Sequence, residues 1–246
     1  MYQNVIFKSV GTYHPATKTS NSYYVNHFKS MGIDVSGLVE HLGRNTRCIA
    51  DPKQEDTVTM AYHASLKALQ SANVSPEEID LIIFGTDCPE KLVPSNAILL
   101  HDKLHTINAH QIFDLNSNCI GMLTAIDIGS RLLINNTRLN KALIVGSFMG
   151  NFISSKTDPV CYSNMADAAA AIILERVEEP YRRGFIDSSF KTDTIVKDKF
   201  QYPVCGFSNL FDEGIDHEDK KLKLDPFDTG FVPGEWIKLM QALFDR

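Results

Sequence analysis

The sequence predicts an α/β fold built on a mainly parallel sheet with helices against its faces. Apolar runs of strand length alternate along the chain with segments of helical spacing, the order that right-handed crossovers turn into a parallel sheet. One of those runs, Leu81 to Phe84, is too continuously apolar for a strand with one wet face, and reads as buried on both. Finally, 246 residues with 43% hydrophobic and 22% charged side chains can enclose a large core, as one large or two small domains.

In order, "VIFKSVG" opens the chain as a strand, and "SNSYYVNHFKSMG", with Tyr23, Tyr24 and His27, reads as an amphipathic helix whose aromatic residues pack into a core. "DTVTMAYHASLKALQSAN" predicts a helix with Val58, Tyr62, Leu66 and Leu69 on one face, stopping near Asn73. In "SPEEIDLIIFGT", Ser75 can cap a short turn with Pro76 in its first position, and the buried parallel strand follows. Then come helix "PSNAILLHDKLH", strand "QIFDLN", a helix from Cys119 to about Asn135, strand "KALIVGS" and a further apolar run, "AAAAIILE". The charge-rich "FDEGIDHEDKKLKLD" (Phe211 to Asp225) breaks the rhythm and reads as a surface excursion. "PGEWIKLMQALFDR" places Trp236, Leu239, Met240 and Leu243 at helical spacing, so its apolar face needs a cover, either as a docking helix or as part of a domain cut short.

A formal charge of -6 with no basic stripe argues against nucleic-acid or anionic-membrane partners. No stretch approaches the length of a membrane span, and the N-terminus begins directly with a strand-like run rather than a signal peptide, so the expected compartment is the cytoplasm. Cys48, Cys88, Cys119, Cys161 and Cys205 form no CxxC pair and no zinc spacing, and their odd number argues against a disulfide framework. The acidic run Asp212, Glu213, Asp216, His217, Glu218 and Asp219 lacks the ordered spacing of a calcium loop and reads as a solvated cluster. Neither a metal nor a cofactor is expected.

Cys119 lies where "FDLNSNCIGMLTAIDIGSRLL" changes from strand to helix character. A helix N-terminus carries partial positive charge and unpaired N–H groups, which favour a thiolate. Asn116, Ser117 and Asn118 can all cap such an end, and Gly121 would allow close approach of a backbone or a substrate. A buried structural thiol is the competing reading, since cysteine is among the most buried residue types. Spacing alone does not separate the two.

In order and spacing, "IDLIIFGTDCPEKLVPSNAILLHDKL", "FDLNSNCIGMLTAIDIGSRLL" and "KALIVGS" resemble the first half of a beta-ketoacyl-ACP synthase III, within the thiolase-like condensing enzymes. The resemblance implies a thiolase-like layered αβαβα fold whose C-terminal half is incomplete in this chain. Residues 1–174 would form the N-terminal half with the nucleophile, and 175–246 the beginning of the second half. It further implies that Cys119 takes an acyl group from an acyl-CoA or acyl carrier protein thioester, and that malonyl-ACP then condenses with it by decarboxylative Claisen chemistry. The expected assembly is a homodimer, in which Val93, before the proline of "KLVPSN", would close the partner's acyl pocket or simply pack in the interface.

Departures from the family bear on activity. The family's second-half histidine and asparagine match nothing between Glu175 and Arg246, and His217, the only histidine after Cys119, sits in a charged loop. The tryptophan and arginine that grip coenzyme A are Gly37 and His41 here, which favours either a carrier-protein donor or a different coenzyme A site. "ADAAA" (Ala166 to Ala170) replaces a glycine-rich motif and keeps Asp167, read as structural. An incomplete, inactive condensing enzyme and a non-catalytic partner subunit of a heterodimer are therefore the two expectations.

Overall fold

The computed structural model describes residues 1–245. In chain order its elements are β1 (Tyr2–Tyr13), β2 (Lys18–Ser20), α1 (Asn21–Lys29), α2 (Ser36–His41), β3 (Thr46–Cys48), α3 (Thr57–Ala72), β4 (Leu81–Gly85), α4 (Asn96–Leu104) and β5 (Gln111–Leu115). There follow α5 (Gly121–Asn135), β6 (Lys141–Met149), α6 (Gly150–Ile153), α7 (Pro159–Asn164), β7 (Asp167–Glu179), β8 (Phe200–Gln201), β9 (Lys223–Leu224) and α8 (Val232–Phe244). No helix among the described residues is long and apolar enough to cross a membrane.

The chain forms two compact units whose segments interleave. The first comprises Met1–Thr17, Cys48–Met149 and Asp167–Ile186; the second comprises Lys18–Arg47, Gly150–Ala166 and the described residues from Asp187 on.

The first unit is a five-stranded sheet in the order β1-β7-β6-β4-β5. β4 is parallel to both β5 and β6, but β7 is antiparallel to β6 and to β1. The expected mainly parallel sheet is therefore mixed. The reason lies in the connection: the chain between β6 and β7 contains two helices of only 4 and 6 residues, and lacks the crossover helix that a parallel return over the sheet requires. Residue 174 lies inside β7, which continues to Glu179.

Side-chain alternation gives the sheet two buried faces. Leu81, Ile83, Ala142, Ile144 and Leu174 pack against Ala125 and Leu133 of α5. On the opposite face Ser147 donates to the Thr57 carbonyl at the start of α3 (2.7 Å). β4 is buried at every position, as its composition predicts. The buried residues of α3, however, are Thr57, Val58, Met60, Ala61, Ala64, Ser65, Ala68 and Leu69, while Leu66 is 39% exposed. Small residues take the part of α3 that β1 crosses: a Cβ at Gly11 would stand 2.2 Å from the Ala64 carbonyl oxygen and 2.5 Å from the Ala68 nitrogen. Asn73 ends the helix in a left-handed conformation, φ 52°.

A charged staple crosses three strands. Glu175 of β7 holds Lys8 of β1 at 2.9 Å and Lys141 of β6 at 3.3 Å, and Lys141 also reaches Glu78 at 3.0 Å. Burial by itself would raise the Glu175 pKa, but hydrogen bonds from Lys8 and Lys141 overcome it and hold the carboxyl below the usual range.

In the second unit, Tyr24 and Phe28 of α1 are buried with Val35, Val39 and Tyr162. Arg47 is 2% exposed, donates from Nε to the Ser163 carbonyl (2.7 Å) and from Nη1 to Asn21 Oδ1, and stacks over the Tyr24 ring. The charge-rich excursion is anchored: Glu218 accepts from Ser155 and from the Lys156 N–H, and Leu222 is buried. α8 buries none of its residues, and Trp236, Ile237, Met240 and Phe244 are all exposed.

Candidate active site

β5 ends at Leu115, and within six residues the chain has turned into α5. Asn118 makes the sharpest part of that turn, with φ 50°, a left-handed conformation that asparagine tolerates better than most residues. The Asn118 N–H donates to Asn116 Oδ1 (3.1 Å), which fixes the turn. Cys119 follows at the centre of a short 3-10 turn, Asn118–Ile120, that leads directly into the helix. The Thr124 hydroxyl lies 3.1 Å from Ser117 Oγ and 3.2 Å from the Ile120 carbonyl, tying the elbow to the first turn of α5.

One detail differs from expectation. No side chain caps α5, whose N-cap position is Ile120; Asn116 serves the preceding turn instead. Gly121 is buried, and a Cβ there would meet nothing within 4 Å. The close contact runs the other way, because a Cβ on Gly85 at the end of β4 would lie 3.5 Å from the Gly121 carbonyl carbon.

Among the five cysteines Cys119 is the exposed one. Cys88 is buried, its thiol held near the Met149 N–H (3.1 Å), and burial pushes its pKa up to about 11. Burial, reinforced by Asp158, pushes Cys161 up to about 12. Both are inert thiols at neutral pH.

The sheet end beneath the elbow holds two carboxyls that sequence reading passed over. Asp114, on β5, points away from α5 and accepts the Asn96 N–H (2.8 Å), the Asn96 side-chain amide (2.8 Å) and the Ala97 N–H (2.7 Å) at the start of α4. It ties the elbow's strand to the next helix through charge-assisted bonds. Asp87, two residues beyond β4 where the chain bends, is half-buried; among the described residues it carries no hydrogen bond or ion pair, and burial raises its pKa. In each case the signal was an acidic residue in or at the end of an apolar strand.

The other named positions spread out. Val93 is 88% exposed on the loop between β4 and α4, beside Leu92, which is also exposed. Gly37 and His41 lie one helical turn apart on α2, both exposed. Asp167 is buried and accepts the Ala50 N–H (2.8 Å), so "ADAAA" begins a structural strand. His217 is exposed in a 3-10 turn of the second unit.

Residues 113–194, from β5 through the elbow to beyond β7, match the family model of 3-oxoacyl-[acyl-carrier-protein (ACP)] synthase III. The chain is similar to the 3-oxoacyl-[acyl-carrier-protein] synthase III of Aquifex aeolicus, at 24% identity over 84% of this chain and 63% of that one, TM-score 0.68. It is also similar to the priming beta-ketosynthase of the R1128 polyketide biosynthetic pathway, at 21% identity over 95% of this chain and 66% of that one, TM-score 0.79. The 3-oxoacyl-(acyl-carrier protein) synthase of Burkholderia xenovorans is similar at 21% identity over 98% and 69%, with the same TM-score of 0.79. The chain thus spans 63% and 66% of the length of the first two. The chain is thus similar in fold to solved 3-oxoacyl-ACP synthase III structures, and in sequence, across residues 113–194 with the elbow, to that family's model.

Proposed function

We propose that this chain belongs to an acyl-transferring condensing enzyme in which Cys119 is the nucleophile. The observation that supports the reading is an exposed cysteine at a tight strand-to-helix elbow inside the segment matching the synthase III model. An acyl-enzyme at Cys119 divides a difficult condensation into two easier steps, and N–H groups at the start of α5 can hold the thioester oxygen as its charge develops. The second step is decarboxylative Claisen attack by malonyl-ACP on the acyl-cysteine, in fatty acid or polyketide-type synthesis. The donor is an acyl carrier protein or acyl-CoA thioester in the cytoplasm, and two copies pair through the outer edge of β5, with Val93 reaching the partner's acyl pocket. The open β5 edge and the exposed Leu92 and Val93 support that pairing.

A second reading is a non-catalytic partner subunit in a heterodimer. One experiment separates the two: intact-mass measurement after incubation with an acyl thioester. One added acyl group, absent in Cys119→Ala, supports the enzyme reading; an unmodified wild-type chain leaves the partner-subunit reading standing.

A further inference from the structure

Between β5 and α5 the stretch that carries Cys119 hangs on few bonds. Its last link to β4 is the Thr86 N–H, which donates to the Leu115 carbonyl (3.2 Å). From Ser117 to Ile120, among the described residues, no backbone hydrogen bond reaches a strand or any helix but α5. The 3-10 turn closes on itself, the Gly121 N–H donating to the Asn118 carbonyl, and Asn116 Oδ1 accepts the nearby Asn118 N–H (3.1 Å). The same stretch contains the left-handed Asn118, φ 50°, a conformation that costs an L-residue energy unless its surroundings hold it.

Thr124, on the first turn of α5, supplies a hold. Its hydroxyl is directed at two oxygens, Ser117 Oγ at 3.1 Å and the Ile120 carbonyl at 3.2 Å. One hydroxyl carries one proton, so the two acceptors share it, and both distances exceed the roughly 2.7–2.8 Å usual for an undivided O–H···O bond. A threonine bond to the carbonyl four residues back is ordinary in a helix. The contact with Ser117 is not, because it leaves the helix and reaches back past the nucleophile. Residues 117 and 120 bracket Cys119, and Ser117 and Thr124 are half-buried, which limits competition from water.

We propose that Thr124 is a positioning residue for Cys119: its hydroxyl clamps the two flanks of the nucleophile and keeps Sγ in register with the N–H groups at the start of α5. Alkylation of the thiol needs only an open sulfur. Acyl transfer needs the sulfur and those N–H groups to meet one carbonyl together, so it responds to small changes in the elbow.

This inference rests on Cys119 as the nucleophile, and the test separates the two. The N-acetylcysteamine thioester of acetate passes its acetyl group to Cys119 Sγ and leaves as the free thiol, the cysteine's proton ending on the departing sulfur. Single-turnover acylation is followed by intact mass, alongside alkylation by iodoacetamide. Thr124→Val, which keeps the shape and loses the hydroxyl, is expected to slow acylation about ten-fold and leave alkylation within about two-fold, with Thr124→Ser restoring the wild-type rate. Ser117→Ala is expected to slow acylation as well, and the double variant to be no slower than Thr124→Val, as two groups of one clamp require. Wild-type acylation in Thr124→Val overturns the proposal, as do equal losses of acylation and alkylation, a Thr124→Ser as slow as Thr124→Val, or losses that multiply in the double variant. Ser117→Ala leaves α5 untouched, and its acylation at the wild-type rate overturns the proposal whether or not Thr124→Val folds. A wild type that takes no acetyl group overturns the nucleophile, and this inference with it.

Discussion

A thiol attacks only as thiolate, and the structure sorts its cysteines by that criterion. At pH 8 a thiol with a pKa of about 11, as in Cys88, is ionised to roughly one part in a thousand, and Cys161 to less. Limited iodoacetamide treatment with peptide mapping is therefore expected to label Cys119 first and leave Cys88 and Cys161 unlabelled until the protein unfolds; early label on either would contradict the structure. The Asp114 carboxylate accepts three hydrogen bonds at the start of α4. Asp114→Ala should lower unfolding free energy by about 2–3 kcal/mol, read as a fall in the urea midpoint. The sequence made the position of Cys119 legible because the strand-to-helix change is local. It hid Asp114, whose significance depends on which face of a strand it occupies and what lies across it.

At the scale of elements, local pattern succeeded wherever an element is defined by its own composition: β4 by its continuous apolar run, the end of α3 by Asn73. It failed where a distant neighbour decides. Tyr62 and Leu66 outrank alanine in hydrophobicity, but only alanines fit beneath Gly11. Gly11→Ala should consequently destabilise by roughly 1–3 kcal/mol or more, because the obstacle is helix backbone that cannot swing aside; an unchanged thermal midpoint would mean the strand and helix are further apart. The antiparallel course of β7 was equally invisible, since an alternating α/β pattern does not record strand direction. The Glu175 staple gives this part of the sheet a pH dependence. Its folded pKa is depressed, so its contribution is fully present above the unfolded carboxylate value of about 4.3 and is lost as pH falls through the folded one. The difference in urea midpoint between wild type and Glu175→Gln should be largest at pH 7 and shrink below about pH 5.

At the scale of the whole molecule, the proposed chemistry and assembly lead to two measurements. Sedimentation at micromolar concentration should give a dimer, and Val93→Glu, on a residue 88% exposed in the single chain, should shift it toward monomer. A wild-type monomer would remove the interface and the role proposed for Val93 together. Condensation with malonyl-ACP should be undetectable above a Cys119→Ala control, even where acylation succeeds. Acylation needs the elbow, whereas decarboxylation needs preorganised donors for the enolate oxygen, and loss of even one such donor commonly slows an enzyme a hundred-fold or more. Ketoacyl product above the control would direct attention to residues such as His217.

Gly146 on β6 lies under Met122, three residues along the chain from Cys119; a Cβ there would stand 2.6 Å from Met122 Cγ and Sδ. The bare backbone at 146 gives the Met122 side chain its seat on the sheet beneath the start of α5. Thickening it through Ala to Val should lift the start of α5 by degrees without altering any group that takes part in chemistry. Iodoacetamide rates at Cys119 measured across that series would then act as a ruler for how closely the thiol's standing height is matched to its substrate.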